Sequence, residues 1–228
     1  MARALYRRFH PGHRRERLAN RRLYAGLISP GDLCFDIGAN VGQTIEALLA
    51  IDAIVVAVEP NVNCMPALKY QFNDSPGLTI VTKAMGAAPG TAVLHFTGTN
   101  STASFREDWP FANEQELEVE VSTLDRLIAE FGRPKFLKVD VEGFELEVFK
   151  GLSQAIPVIY FEMHGNEVGA TSQILERLAS IGEIAGVNAV SGDNSVWLLK
   201  EWVGHDQFVA RLGDPIPDHA NVIVRMKT

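Results

Sequence analysis

Leu33-Cys34-Phe35-Asp36-Ile37-Gly38-Ala39-Asn40-Val41-Gly42 is the stretch on which the fold of this chain turns. A short apolar run, Leu33–Ile37, reads as a strand. Glycines then let the backbone turn sharply and approach a ligand, and Gly42–Ala50 carries the pattern of a helix. Strand, tight glycine turn and helix in that order open a βαβ unit.

Working outward, short apolar runs keep alternating with helical patterns. Val55–Glu59 reads as strand two, Val62–Phe72 as a helix and Leu78–Thr82 as strand three. Between Gly86 and Ser122 the pattern changes to Ala92–Phe96, a polar stretch and Leu117–Val121, which predicts an inserted hairpin or lid. Alternation resumes with a helix at Leu124–Phe131, a strand at Phe136–Val139, a helix at Phe144–Leu152 and a strand at Val158–Phe161. Gln173–Ser180 looks helical, and Ile184–Val190, Val196–Leu199 and Asn221–Met226 are the remaining strand candidates. The expected fold class is α/β, Rossmann-like, with a mostly parallel sheet and helices on both faces.

Length and composition fit one domain. The chain has 228 residues, 46% hydrophobic and 21% charged, close to the globular average, so disorder and fibrous architectures are excluded. We divide it into an N-terminal basic helical segment, residues 1–30, and the α/β domain proper, residues 31–228, forming one domain overall. Cys34 and Cys64 lack metal-ligand spacing, which argues against a zinc site or disulfide framework and for a reducing compartment. No apolar run is long enough for a signal peptide or membrane span, so a cytoplasmic protein that avoids membranes is expected. Arg3, Arg7, Arg8, Arg14, Arg15, Arg17, Arg21 and Arg22 crowd the start of a chain whose formal charge is −7. They read either as a nucleic-acid arm or as the solvated face of a helix whose Leu18, Leu23 and Leu27 pack inward. The acidic remainder argues against a general polyanion binder.

The glycine turn is a cofactor cradle of a particular kind. A dinucleotide fingerprint laid from Gly38 needs glycines where Asn40 and Gln43 stand, and Asp36 would repel a pyrophosphate. A cationic cofactor is favoured instead. S-adenosylmethionine carries an ammonium and a sulfonium and no phosphate, which suits an acid beside the turn. Strand two ends in Glu59-Pro60, where a carboxylate can accept hydrogen bonds from ribose hydroxyls. Asp36, Gly38, Ala39, Asn40, Gly42, Glu59, Pro60 and Asp140 form the expected cofactor-binding set.

The blocks FDIGANVGQT, VVAVEPN, VEVSTLDRL and LKVDVEGFELEVFKG resemble, in order, those of FkbM-type methyltransferases over residues 30–165. The resemblance implies a seven-stranded class I methyltransferase fold. It also implies methyl transfer from S-adenosyl-L-methionine to a hydroxyl of a small molecule, commonly a sugar or polyketide-type metabolite. N-methylation of a small amine, nucleic-acid modification and inert cofactor binding stay open as alternatives.

Asp140 and Glu142, two residues apart, would point to one side of an extended strand end, toward the cleft that open α/β sheets form beyond their strand carboxyl ends. They are candidates for steadying the sulfonium, binding the acceptor, acting as base or holding a metal, although two carboxylates alone predict no metal site. Glu142 reads alternatively as a cap of the helix near Phe144. Phe161-Glu162-Met163-His164 brings a histidine to the same rim, and His164 is the natural base candidate. Thr97–Phe105 is suited to hydrogen-bonding a polyhydroxylated acceptor or to acting as a lid, as it is to being an exposed turn; Trp109 and Phe111 follow closely.

Overall fold

The structure, a computed structural model, describes residues 11–96, 103–106, 115–164, 168–192, 195–212 and 219–228, and of residues 11–16, 164, 168 and 219 the backbone only. In chain order the first half comprises α1 (Pro11–Ala25), β1 (Leu33–Ile37), α2 (Gln43–Leu49), β2 (Ile54–Val58), a 3₁₀ turn (Val62–Cys64), α3 (Met65–Phe72), β3 (Leu78–Val81), β4 (Ala84–Met85) and β5 (Gly90–Phe96). The second half comprises β6 (Gln115–Ser122), α4 (Leu124–Phe131), β7 (Phe136–Val139), α5 (Glu145–Lys150), β8 (Val158–His164), α6 (Val168–Ile181), β9 (Ile184–Ser191), α7 (His205–Val209) and β10 (His219–Met226).

Seven strands form one sheet in the order β3-β2-β1-β7-β8-β10-β9, with β10 antiparallel to both neighbours and the other pairings parallel. This is the Rossmann-like class I arrangement that the sequence implied. The chain leaves β1 toward β2 and β3 on one side and later returns to β7 on the other, which makes the β1–β7 boundary the topological switch point.

The two-residue period of the strands sorts the core. Phe35, Ile37, Val56, Val58, Leu137, Val139, Ile159 and Phe161 face one side, against Leu124, Val148, Phe149, Ile174 and Leu178 of the helices there. Cys34, Val55, Ala57, Phe136, Val158, Tyr160 and Ile223 face the other, against Leu23 and Tyr24 of α1, Ile45 and Leu48 of α2 and Leu68 of α3. Both cysteines are buried and free. β4, β6 and β5 make a separate three-stranded sheet, and the expected hairpin is present as the antiparallel pair β5–β6.

Two expectations need correction. Val196–Leu199 is not a strand: Trp197 makes a single bridge to Val190. The Asn188 side chain accepts from Leu199 N–H and donates to the Leu199 and Glu201 carbonyls, so side-chain bonds replace a continuing ladder. Leu18 does not pack inward, being 46% exposed beside buried Leu23 and Leu27. Five residues carry a helix about 140° around its axis, so Leu18 cannot share the face of Leu23, and Tyr24 fills the core in its place.

Candidate functional site

Register fixes which side chains meet. Ile37 pairs with Val58 and Val139, Val139 with Phe161, and Phe161 with Val222. One residue further on, at the carboxyl end of the sheet, Glu59, Gly38, Asp140, Glu162 and Asn221 form a row on the face that packs α1 and α2. The row beneath holds Ala57, Asp36, Lys138 and Tyr160. Neighbouring strands stand about 4.8 Å apart, so the upper row is acid, bare backbone, acid, acid, amide.

Bare backbone at the switch point is a steric necessity. Gly38 has φ 84°, and a Cβ there would lie 1.8 Å from the Asp140 carbonyl oxygen. Gly38 and Ala39 N–H both donate to the Val58 carbonyl, closing the turn over β2. Asn40 continues it in the left-handed region at φ 48°. Gly42, at φ 92°, leaves no room for a Cβ beside the Phe72 ring, 2.3 Å away, and so holds the turn from behind.

Glu59 ties together the loops that follow β1 and β2. One carboxylate oxygen accepts from Asn40 N–H at 2.8 Å and the other from Asn61 N–H at 2.8 Å. Each oxygen keeps a further acceptor site. Burial pushes the Glu59 carboxyl up to about 7, with the two backbone donors working the other way.

Asp36 lies behind the cavity wall. It is fully buried, and neither of its oxygens has a hydrogen-bond partner among the described residues. Lys138 Nζ stands 3.9 Å from Asp36 Oδ1 and donates to Asp140 Oδ2 at 2.7 Å. Burial raises the Asp36 carboxyl to about 6, opposed by Lys138. Burial works to lower the Lys138 ammonium too, and Asp140 and Asp36 more than reverse it, so this lysine is a fixed cation.

Above these rows is a cavity of about 240 Å³. Gly38, Ala39, Asn40, Glu59 and Pro60 line one end and Lys138, Asp140, Val141 and Glu142 the other, with Leu94, Ala103 and Phe105 of the small sheet and its adjoining segment as a third wall. Ser104 Oγ donates to the Glu142 carbonyl at 2.8 Å and Phe105 packs on Phe144 with centroids 5.1 Å apart, which clamps that wall to the β7–α5 turn.

Asp140 and Glu142 do converge, for a different reason from the one expected. β7 ends at Val139, and Glu142 sits in a left-handed turn at φ 53°, not in an extended strand. Nor does Glu142 cap α5; Glu145 Oε1 accepts from the Val141 and Gly143 N–H groups instead. Burial, then the charges of Asp140 and Glu145, push the Glu142 carboxyl up to about 7. Glu162 completes a cluster in which carboxylate oxygens of all three acids lie within 4.8 Å of one another. Glu162 is missed by sequence reasoning although it stands two residues before His164, because only the β7–β8 register brings it beside Asp140. Lys138 is missed as well.

Of the expected residues, Gly38, Ala39, Asn40, Glu59, Pro60, Asp140 and Glu142 line the cavity, and Asp36 and Gly42 stand behind its wall. His164 ends β8, with its side chain outside the described residues, as are residues 97–102, Trp109, Phe111 and the arginines at 3, 7 and 8. Arg17 pairs with Glu46 of α2 at 3.7 Å. Among the described residues no helix is long and apolar enough to cross a membrane.

A family profile described as the methyltransferase FkbM domain matches residues 36–185. A curated relative, the hexuronic acid methyltransferase AglP of Haloferax volcanii, is 26% identical over 156 residues, 68% of this chain and 64% of that protein, so the match spans less than two-thirds of the relative's length. Among solved structures, precorrin-6y C5,15-methyltransferase of Geobacter metallireducens aligns at a TM-score of 0.47 and 13% identity, over 93% of this chain and 87% of that one. A TehB-like S-adenosylmethionine-dependent methyltransferase of Corynebacterium glutamicum aligns at 0.48 and 11%, over 92% and 88%.

Proposed function

Because the chain belongs to the family of the methyltransferase FkbM domain, we propose that it transfers a methyl group from S-adenosylmethionine to a hydroxyl of a small polyhydroxylated acceptor, a sugar foremost. The observation that carries this reading is the upper row: Glu59 and Asp140 flank bare Gly38 at the switch point, where a Cβ would collide with backbone. That row fits the cofactor. It leaves room over Gly38, offers open acceptor sites on a buried carboxylate and surrounds the space with acids suited to a cation. The hexuronic acid methyltransferase supports a sugar as acceptor.

S-adenosylmethionine, when bound, supplies an electrophilic methyl on a sulfonium. Glu59 would accept hydrogen bonds from the ribose hydroxyls of the bound cofactor, and Asn40 and Pro60 line the cavity beside it. Lys138 donates to Asp140 and orients it, so that the carboxylate would offer a fixed negative charge to the cationic end of the cofactor. Glu142, with a proton affinity near neutral, takes the proton that the acceptor hydroxyl releases. His164, the last residue of β8, is the second candidate for that proton. Leu94, Ala103 and Phe105 give the cavity an apolar wall opposite the acids.

Calorimetric titration with S-adenosylhomocysteine and with NADH tests the cofactor, and a labelled methyl donor with a panel of sugars and hexuronic acids tests the acceptor. Tight NADH binding without S-adenosylhomocysteine binding refutes the reading; label on amines but not on hydroxyls restricts it to N-methyl transfer.

A further inference from the structure

We propose that Glu162 is a positioning residue for the methyl-transfer site: it holds a proton at neutral pH and donates it to Asp140, so that Asp140 is gripped between Lys138 and Glu162. The inference rests on the reading of the cavity as the methyl-transfer site for its purpose, and on strand register and the clustering of the acids for its existence.

The geometry begins with register. The β7–β8 pairing runs Phe136–Val158, Leu137–Ile159, Lys138–Tyr160 and Val139–Phe161, so the next step sets Asp140 beside Glu162 on the same face. A carboxylate oxygen of each lies within 4.8 Å of the other, and a side-chain hydrogen bond to Asp140 is among the causes that raise the Glu162 carboxyl. Two carboxylates have no donor between them, and a hydrogen bond that joins them requires one proton. Asp140 Oδ2 already receives the Lys138 ammonium at 2.7 Å, which stabilises its charge, so the proton belongs to Glu162.

The surroundings agree. Glu142 stands within the same 4.8 Å cluster. Among the described residues the charged groups acting on Glu162 are Asp140, Glu142 and Lys138, all on β7 or the turn that follows it; β10 offers the uncharged Asn221 opposite, and Tyr160 precedes it by one pleat on β8. Burial first, then Asp140 and Glu142, push the Glu162 carboxyl up to about 10, against a single lysine. Three like charges in this space would repel one another; one proton leaves two, one on Asp140 facing the cofactor side and one on Glu142. Glu162 does not line the cavity, so its effect passes through Asp140.

Carboxyl-carbon NMR of glutamate-labelled protein tests the proton directly, and calorimetry with S-adenosylhomocysteine tests its consequence. At a pH of about 8.5, where the other raised carboxyls are largely ionised, one glutamate carboxyl should still be protonated, and Glu162→Gln should remove that signal. Glu162→Gln keeps a donor toward Asp140 and should bind within about twofold of the parent, whereas Glu162→Ala should bind about five- to tenfold more weakly, the fold-change of one hydrogen bond. The proposal is overturned if every glutamate is ionised at that pH. It is overturned too if Gln and Ala weaken binding alike, or if magnesium shifts the Glu162 resonance and a chelator restores it, since a cation and not a proton would then join the acids. Failure of the parent to bind S-adenosylhomocysteine refutes the functional reading instead and leaves the NMR result to decide the proton. Should Glu162→Ala not fold, the parent and Glu162→Gln spectra suffice.

Discussion

Glu59→Ala removes a side chain that serves the fold and the cofactor at once, and the structure separates the two effects. In the folded protein the carboxylate takes Asn40 N–H and Asn61 N–H, each at 2.8 Å, and is itself buried. A buried donor left without an acceptor costs about 1–3 kcal/mol, and two are orphaned here. Relief of the buried charge offsets part of this, which leaves a loss of about 2–4 kcal/mol and a fall in Tm of about 4–16 °C for a chain of this size. Loss of the ribose contacts adds a separate drop in S-adenosylhomocysteine affinity of roughly 10- to 150-fold, from about 1.5–3 kcal/mol for hydrogen bonds to a charged group. Glu59→Gln is the sharper probe. An amide has one accepting oxygen, and its NH₂ would face whichever backbone N–H the oxygen does not take. Gln should therefore fall well short of the parent in Tm, close to Ala, despite its nearly identical shape. Scanning calorimetry reads the first quantity and isothermal titration the second, at a temperature below the lowered Tm. A Gln variant with parental Tm and affinity would refute the two-donor account, and an Ala variant with an unchanged Kd would remove Glu59 from the ribose role.

Two further outcomes follow from the same geometry. Gly38→Ala places a methyl 1.8 Å from the Asp140 carbonyl oxygen at φ 84°, so the variant should either melt well below the parent or lose S-adenosylhomocysteine binding altogether; parental values of both would show that the turn is not built as described. The pH dependence of stability should run opposite to ordinary acid denaturation between about pH 5 and 8. Asp36 near 6, and Glu59, Glu142 and Glu145 near 7, bind protons more tightly folded than unfolded, where carboxyls titrate at about 4. Their contribution is present in full below that unfolded value and is lost as pH rises through 6–7, so Tm of the cofactor-free protein should decline across the window, and a Tm that climbs from pH 5 to 8 would contradict the burial of these acids.

The sequence by itself determined the local units. Apolar runs of strand length, glycines at the turn after Ile37 and helical spacing after Gly42 are contained within a few residues, and β1, α2, β7 and α4 appear where those signals put them. It also determined which residues of a strand share a face, because the two-residue period is a property of the strand alone. The acids at strand ends were legible for the same reason: Glu59 and Asp140 end apolar runs.

Tertiary structure decided what those acids meet. Strand order and register lie outside any local pattern, and they bring Glu162 beside Asp140 although 22 positions separate them in the chain. The β1–β7 pairing likewise sets Lys138 against Asp36, which turns a strand-end acid expected to face the cofactor into a buried counter-charge behind the wall. Glu142 reached the cavity through a left-handed turn that its residue type does not announce. Leu18 and Val196–Leu199 depart from expectation because an apolar residue signals burial only when its helical angle or its ladder partner agrees: the first is local, and places Leu18 off the face of Leu23, while the second is settled by a partner strand. Local stereochemistry writes the elements; the long-range hydrogen-bond ladder, which no residue can specify alone, writes the site.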